Sequence, residues 1–285
     1  VMSKKQKVAL VLASGGAKGF AHIGAIEALE ENGYEITSIA GASMGALIGG
    51  LYATGGLDKV KEWMYELTNR EMFRLVDFTI SPHAILKGDR IMEALKAIVP
   101  DCMIEDLPIP YCAVATDLKT GREVVFRTGS LYDAIRASIS IPMVFSPVEY
   151  GDMLLIDGAM SNGLPLDRVV RTEGDMLVAV NLDNYQWEDD ESQPNKFENT
   201  SRLKTLSRKF HNKINALGNN YVSLTYDTLL VLMKTNIDMA LRFTPPDIYL
   251  NVDLGEYGFY DYDDAESISR LGREQMMGLL KGVDL

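Results

Sequence analysis

Residues 7–56 read KVALVLASGGAKGFAHIGAIEALEENGYEITSIAGASMGALIGGLYATGG and alternate between two hydrophobic patterns. Residues 8–13 form a short, unbroken apolar run, which predicts a strand buried on both faces. Residues 22–32 carry apolar side chains at helical spacing and are followed by Gly33, a residue typical of helix ends. The pattern then repeats, with a strand over 36–40 and a second helix. This strand–helix–strand–helix order is typical of α/β proteins, in which helices cover a parallel sheet.

The same alternation continues less regularly along the rest of the chain. The further predicted strands lie at 111–116, 123–127, 153–156, 176–180 and 247–252, and the further helices at 58–67, 89–98, from Ser130 onward, 224–241 and 264–280. We expect a catalytic core over 7–181, a polar and then basic segment over 182–223, and a region over 224–285 that completes the same domain.

The charge balance limits the possible partners. The 285 residues include 28 Lys and Arg against 40 Asp and Glu, which gives a formal net charge of −12 at pH 7. Duplex nucleic acid is bound mostly by neutralising phosphates, so we expect no nucleic-acid partner. The same acidity argues against simple adsorption to anionic membranes.

The charge is unevenly distributed, however. Residues 199–226 carry five basic side chains and no acidic one, and an apolar segment follows over 224–241. This pattern predicts a transient contact with a membrane surface. The alternative is a solvated basic helix followed by a core helix.

The cysteines and the N-terminal residues favour a cytoplasmic protein, peripheral to a membrane at most. Cys102 and Cys112 are too few for a disulfide framework. The basic residues Lys4, Lys5 and Lys7 precede only six apolar residues, which are too few for a signal peptide. No window approaches the roughly 18 apolar residues that a membrane span needs.

Residues 41–45 read GASMG, a G-x-S-x-G motif between a predicted strand and a predicted helix. In a nucleophile elbow the serine occupies a strained strand-to-helix turn, and glycines two residues away on each side let the chains approach. Ser43 would also lie near a helix N-terminus, where the helix dipole favours developing negative charge. The alternative is a tight glycine turn without chemistry.

Residues 14–19, SGGAKG, join the first predicted strand to the first predicted helix. Three glycines can leave backbone N–H groups pointing into a pocket, as an oxyanion hole requires. A dinucleotide-binding loop would need glycine at position 14. A phosphate-binding loop would need Gly-Lys followed by Ser or Thr, which the residues 18–20, KGF, do not provide. The remaining alternative is a connecting turn with no catalytic role.

Asp157 follows the predicted strand over 153–156 and precedes Gly158. We expect it at the carboxyl edge of a parallel strand, where ligands of α/β proteins bind. The alternative is an ordinary turn aspartate, which is common before glycine.

A serine nucleophile also needs a base, and the chain has three histidines. His22 is more readily a packed or helix-capping residue, His83 lies in a predicted loop, and His211 lies in the basic segment. The order Ser43, Asp157, His211 nevertheless matches the order of an α/β-hydrolase triad, so a role for His211 stays open.

Together the motifs resemble those of the patatin-like phospholipase family, in particular its bacterial members. The similar blocks keep their order over about residues 7–181 and are GGAKG at 15–19, GASMG at 41–45, ASISIP at 137–142 and DGA at 157–159, followed by Asn162 and Pro165. Ser14 is a departure, because the family loop usually begins with glycine.

The resemblance implies a three-layer α/β/α sandwich with a mainly parallel central sheet. It implies a serine hydrolase of lipid esters, with an acyl lipid or phospholipid as substrate. We expect no cofactor and no metal, and the resemblance gives no prediction of the oligomeric state. Ser43 would attack the acyl carbonyl and Asp157 would take its proton directly, without a histidine. The implied oxyanion-hole and substrate-binding residues are Gly15, Gly16, Ala17, Lys18, Gly19 and Met44.

Two other functions stay open from the sequence. One is an acyl-lipid-binding regulatory protein with little turnover. The other is an acyltransferase, for which the same residues would suffice.

Overall fold

The computed structural model describes residues 5–67, 71, 75, 78–81, 84–86, 88–142, 144–182, 221–258 and 261–283. The strands are β1 (Gln6–Leu12), β2 (Tyr34–Ala42), β3 (Phe78–Ser81), β4 (Ala84–Leu86), β5 (Tyr111–Asp117), β6 (Glu123–Phe126), β7 (Val148–Tyr150), β8 (Met153–Asp157), β9 (Met176–Asn181) and β10 (Ile248–Asn251). The α-helices are α1 (Ala21–Glu31), α2 (Met44–Ala53), α3 (Leu57–Glu66), α4 (Asp89–Ile98), α5 (Leu131–Ser138), α6 (Ala159–Asn162), α7 (Tyr221–Phe243) and α8 (Ala265–Leu280).

The main sheet is mostly parallel. Strands β10, β9, β1, β2 and β5 lie side by side in that order, and each neighbouring pair is parallel. The remaining pairs of this sheet are antiparallel: β5 with β6, β5 with β8, and β8 with β7. Strands β3 and β4 form a separate antiparallel pair. The predicted α/β class and mainly parallel sheet are therefore confirmed.

Both faces of this sheet are buried, which gives three layers. Alternate residues of β1, together with Ala13 directly after it, enter two different cores, with Val8, Leu10 and Leu12 on one face and Ala9, Val11 and Ala13 on the other. Helices α1, α2 and α8 cover the first face. Residues 164–169 and Ile237 of α7 cover the second. The apolar run 8–13 is unbroken because neither of its faces meets water.

Strand β5 fixes how β2 and β8 lie relative to each other. Residues 111–114 of β5 pair with β2, residues 115–117 pair with β8, and residues 113–116 pair with β6. A strand residue has one ladder neighbour on each side, so β2 and β8 share one edge of β5 while β6 takes the other. They run in opposite directions and meet carboxyl end to carboxyl end.

This arrangement corrects one expectation. Asp157 ends its strand as predicted, but β8 runs antiparallel to β5 rather than parallel. The sequence pattern of a short buried strand is the same for both directions, so it could not distinguish them.

The C-terminal region packs back onto the rest of the fold. Strand β10 pairs with β9, and α8 lies directly against α1. The helices approach so closely at Gly272 that a Cβ there would overlap the Ala21 carbonyl. The division into 7–181, 182–223 and 224–285 stays a prediction, and residues 183–220 lie outside the described residues.

Of the helices in the described part of the chain, none combines the length with the apolar composition that crossing a bilayer requires.

The contact between α1 and α8 predicts opposite effects for two glycines of one helix. Gly272→Ala should lower the free energy of unfolding by about 1–3 kcal/mol, because rigid backbone would have to move. Gly278→Ala is the matched control, since a Cβ there has no atom within 4 Å. It should stabilise α8 by about 0.5–1 kcal/mol, because alanine loses less backbone entropy than glycine. Urea denaturation of both variants measures this; equal effects would contradict the close helix contact.

Candidate active site

Ser43 occupies a strained turn between β2 and α2. Its φ of 53° and ψ of −122° make it the one non-glycine residue with positive φ among the described residues. Such a backbone costs about 1–3 kcal/mol and persists only where its surroundings impose it. A Cβ on Gly45 would overlap the Leu12 carbonyl, and a Cβ on Gly41 would overlap the Gly45 carbonyl. The G-x-S-x-G spacing therefore reflects two close backbone approaches around this serine.

The Ser43 hydroxyl donates a hydrogen bond to Asp157. The distance between Ser43 Oγ and Asp157 Oδ2 is 2.6 Å, and Oδ1 of the same carboxylate accepts from the Ala159 N–H at 2.8 Å. The sheet register explains this contact, because Ala42 lies opposite Val114 and Asp157 lies opposite the next residue of β5. Both side chains are buried, with Asp157 only 1% exposed.

Burial raises the pKa of Asp157 to about 7. The hydrogen bonds from Ser43 and Ala159 lower it, but by less than burial raises it. No charged neighbour among the described residues contributes to this shift. A carboxylate with a pKa near neutral pH is a much stronger base than an ordinary aspartate, whose pKa is about 3.9.

The glycine loop lies against the start of α2. After Gly15, a short 3₁₀-helix runs over Gly16–Phe20 and leads into α1. Gly16 has a φ of 57°, which favours glycine, and a Cβ on Gly19 would overlap the Met44 side chain. Gly15 and Gly16 donate their N–H groups to no other residue in the described part of the chain. Their role as oxyanion-hole donors stays a prediction.

The other predicted loop residues differ in exposure. Ala17 and Gly19 are buried, whereas Lys18 is half-buried. Met44 is buried and begins α2, so its N–H belongs to the helix N-terminus, where backbone donors have no partner within the helix. Ser14 stands where the family loop usually has glycine. Its backbone N–H still anchors the start of the loop, because it donates to the Gly163 carbonyl at 3.0 Å.

His22 contacts the backbone just before this loop, and within the described part of the chain it makes no hydrogen bond to Ser43 or Asp157. It is fully buried in the first turn of α1, and its Nε2 lies 2.8 Å from the Ala13 carbonyl oxygen. Because a carbonyl can only accept, Nε2 carries the proton. Burial lowers the pKa of His22 to about 4, so the ring is neutral at physiological pH. His83 and His211 lie outside the described residues.

Sequence reasoning assigned no role to Ser138 and Ser140, although it singled out the block that contains them. Both are buried in the structure, and both contact the backbone of the Ser43–Asp157 pair. The resemblance of residues 137–142 to a family block was the available signal, but nothing local indicated which distant residues this block touches.

Among the described residues, no group of three or more His, Cys, Asp or Glu side chains is placed to hold a metal ion. The expected lack of a cofactor stays a prediction.

The family model for patatin-like phospholipases matches residues 10–170. The chain belongs to the patatin-like phospholipase family. An NTE family protein of Mycobacterium tuberculosis (strain ATCC 25618 / H37Rv) is 49% identical over 184 residues, which are 65% of this chain and 51% of that protein. Patatin-like phospholipase domain-containing protein 6 of Mus musculus is 31% identical over 182 residues, 61% of this chain and 13% of that protein. This chain thus spans about half the length of the curated mycobacterial relative and 13% of the length of the mouse protein.

Among solved structures, VipD from Legionella pneumophila is similar with a TM-score of 0.49 and 16% identity, over 98% of this chain and 67% of that one.

The raised pKa of Asp157 predicts a measurable effect on stability. Its pKa is higher in the folded protein than in the unfolded chain, so the folded state binds the proton more tightly between about pH 4 and 7. The free energy of unfolding should therefore fall as the pH rises through this window. Asp157→Asn removes this penalty, and should exceed the wild type in stability at pH 8 by an amount on the order of a few kcal/mol.

Asp117→Asn is the matched control for this experiment. Asp117 is a buried aspartate of β5, but a hydrogen bond from Thr120 lowers its pKa. Its replacement should destabilise the protein at pH 8. Urea denaturation at pH 5 and pH 8 compares the two variants; a loss of stability in both at pH 8 would contradict the account of Asp157.

Proposed function

We propose that this protein is a serine acyl hydrolase of lipid esters, of the phospholipase, lysophospholipase or carboxylesterase type. The observation that carries the proposal is the 2.6 Å hydrogen bond from Ser43 Oγ to Asp157 Oδ2, made from a strained nucleophile turn. Membership of the patatin-like phospholipase family supports the lipid-ester substrate class.

In the first half of the reaction, ionised Asp157 accepts the Ser43 proton while Oγ attacks the carbonyl carbon of the ester. The carbonyl π electrons move onto oxygen, and the N–H groups of Gly15 and Gly16 hold the resulting oxyanion. Such preorganised donors are worth about 3–4 kcal/mol each in the transition state. The C–O bond to the alcohol then breaks, and the alcohol leaves with the proton from Asp157.

In the second half, Asp157 deprotonates a water molecule that attacks the acyl-Ser43 ester. The second tetrahedral intermediate breaks its bond to Ser43 Oγ, which regains the proton from Asp157, and the fatty acid is released. Asp157 must be ionised to begin each half. Its pKa of about 7 gives a substantial ionised fraction at neutral pH and strong basicity together.

The surface beside the site favours an apolar substrate. Helix α7 packs against α6, the helix that directly follows Asp157, and Asn236 Nδ2 donates to the Met160 carbonyl at 3.1 Å. The same helix exposes large apolar side chains within one turn of Asn236, namely Leu232 and Met239. The basic residues 202–213 lie outside the described residues, so the membrane-surface contact stays a prediction.

An acyl-lipid-binding protein with little turnover would leave Ser43 unreactive toward a fluorophosphonate. An acyltransferase would pass the acyl group from Ser43 to an added alcohol or lysolipid in preference to water. Product analysis with and without that acceptor separates transfer from hydrolysis.

Ser43→Ala and Asp157→Asn should each lower ester hydrolysis by at least about 1,000-fold, because each removes one partner of a pair that acts as a unit. The measurement is kcat/KM on p-nitrophenyl esters of increasing chain length and on phospholipid micelles. Ser38→Ala and Asp117→Asn, which replace other buried residues of the same types, should retain most of the activity. Full activity in a folded Ser43→Ala protein would refute the proposal.

The identity of the base is tested separately. Since Asp157 must be ionised, kcat/KM should fall as the pH drops below about 7. A histidine base with its ordinary pKa of about 6.5 would give a similar limb, so the pH profile alone does not distinguish the two. His211→Ala does: we expect activity within about threefold of the wild type and an unchanged acid limb. A loss as large as that of Asp157→Asn would instead favour a triad.

A further inference from the structure

Ser138 is a fully buried serine at the end of α5, in the block 137–142 that the proposed mechanism does not use. Its Oγ accepts a hydrogen bond from the Ser43 N–H at 2.8 Å. The same hydroxyl donates to the Val114 carbonyl at 2.6 Å. It therefore connects the backbone of the nucleophile to the strand beside which β2 and β8 meet.

This connection requires a hydroxyl group. The Ser43 N–H is a donor and the Val114 carbonyl is an acceptor, and a hydroxyl can satisfy both at once. Alanine would satisfy neither and would leave two buried polar groups without this partner. Because Ser43 has a strained backbone, a hydrogen bond that holds its N–H helps to keep that backbone in place, and with it the Cα–Cβ bond that carries Oγ.

The segment that follows Ser138 holds the other half of the dyad. The Asp157 N–H donates to the Ser140 carbonyl at 3.0 Å, and the Gly158 N–H donates to the Ser138 carbonyl at 3.2 Å. One short segment thus contacts the backbones of both Ser43 and Asp157. Arg136 anchors this segment by donating to Ser140 Oγ at 2.7 Å and to the Ser146 carbonyl at 3.1 Å.

We propose that Ser138 is a positioning residue, which holds Ser43 Oγ in line with Asp157 through the hydrogen bonds of its hydroxyl to Ser43 and Val114. This inference rests on the proposed function, because it assigns Ser138 a role in the same reaction. Ser138 is fully buried and its hydroxyl is already bonded to Ser43 and Val114, so its loss should act on kcat rather than on KM.

The test compares Ser138→Ala with Ser38→Ala. Ser38 is also fully buried, and its hydroxyl donates to the Val170 carbonyl away from the dyad. Both variants lose a buried hydroxyl, so both should have a lower Tm. Only Ser138→Ala should lower kcat on p-nitrophenyl esters, by roughly 10- to 100-fold with KM within about threefold, since a small misplacement of a reacting group has effects of this size. The rate of Ser43 labelling by a fluorophosphonate should fall by a similar factor.

A second variant, Ser138→Cys, keeps a side-chain group that can donate and accept, although its sulfur is larger than oxygen and forms weaker hydrogen bonds. It covers the case in which Ser138→Ala does not fold. Its kcat should lie between those of wild type and Ser138→Ala, or clearly below wild type if only this variant folds. A wild-type kcat and a wild-type labelling rate in either folded Ser138 variant would overturn this inference but not the proposed function. A wild-type protein that neither hydrolyses esters nor reacts with the fluorophosphonate would overturn the proposed function and this inference with it.

Discussion

Strands β2 and β8 meet end to end along one edge of β5, and the candidate site depends on that meeting. Ser43 and Asp157 are 114 residues apart in the sequence, yet the register of β5 places the ends of their strands at consecutive positions. A slip of one residue in either pairing would reverse the faces on which the side chains lie and separate the hydroxyl from the carboxylate. The glycines around Ser43 then let the chain turn sharply at this point without a clash.

The environment of Asp157 links this geometry to its chemistry. A buried carboxylate with no charged partner among the described residues is costly to ionise, which destabilises the folded protein at neutral pH. In the proposed mechanism, the same cost makes the group basic enough to take a proton from Ser43. Stability and reactivity are therefore opposed at this residue, as is common at functional sites. The block from Ser138 to Ser140 accepts hydrogen bonds from the backbone N–H groups of both Ser43 and Asp157.

Local sequence patterns were enough to predict the elements that depend mainly on residues close together in the chain. The apolar run of β1, the helical spacing after it and the glycine spacing around Ser43 predicted the first two strand–helix units and the nucleophile turn. Resemblance to the family supplied Asp157 as the partner. The direction of β8 was predicted wrongly, because pairing direction is set by contacts with β5 rather than by the strand's own residues. The hydrogen bonds of Ser138 could not be predicted for the same reason, since they join residues that are distant in the sequence.

The most direct test is a crystal structure of the covalent adduct between the protein and a fluorophosphonate, which imitates the tetrahedral intermediate. We expect phosphorus to be bonded to Ser43 Oγ, with a phosphonyl oxygen within hydrogen-bond distance of the Gly15 or Gly16 N–H. The Asp157 carboxylate should lie beside Ser43 Oγ with no histidine between them. An adduct in which a histidine side chain takes the place of Asp157 beside Ser43 Oγ, or in which the phosphonyl oxygen points away from the glycine loop, would contradict this expectation.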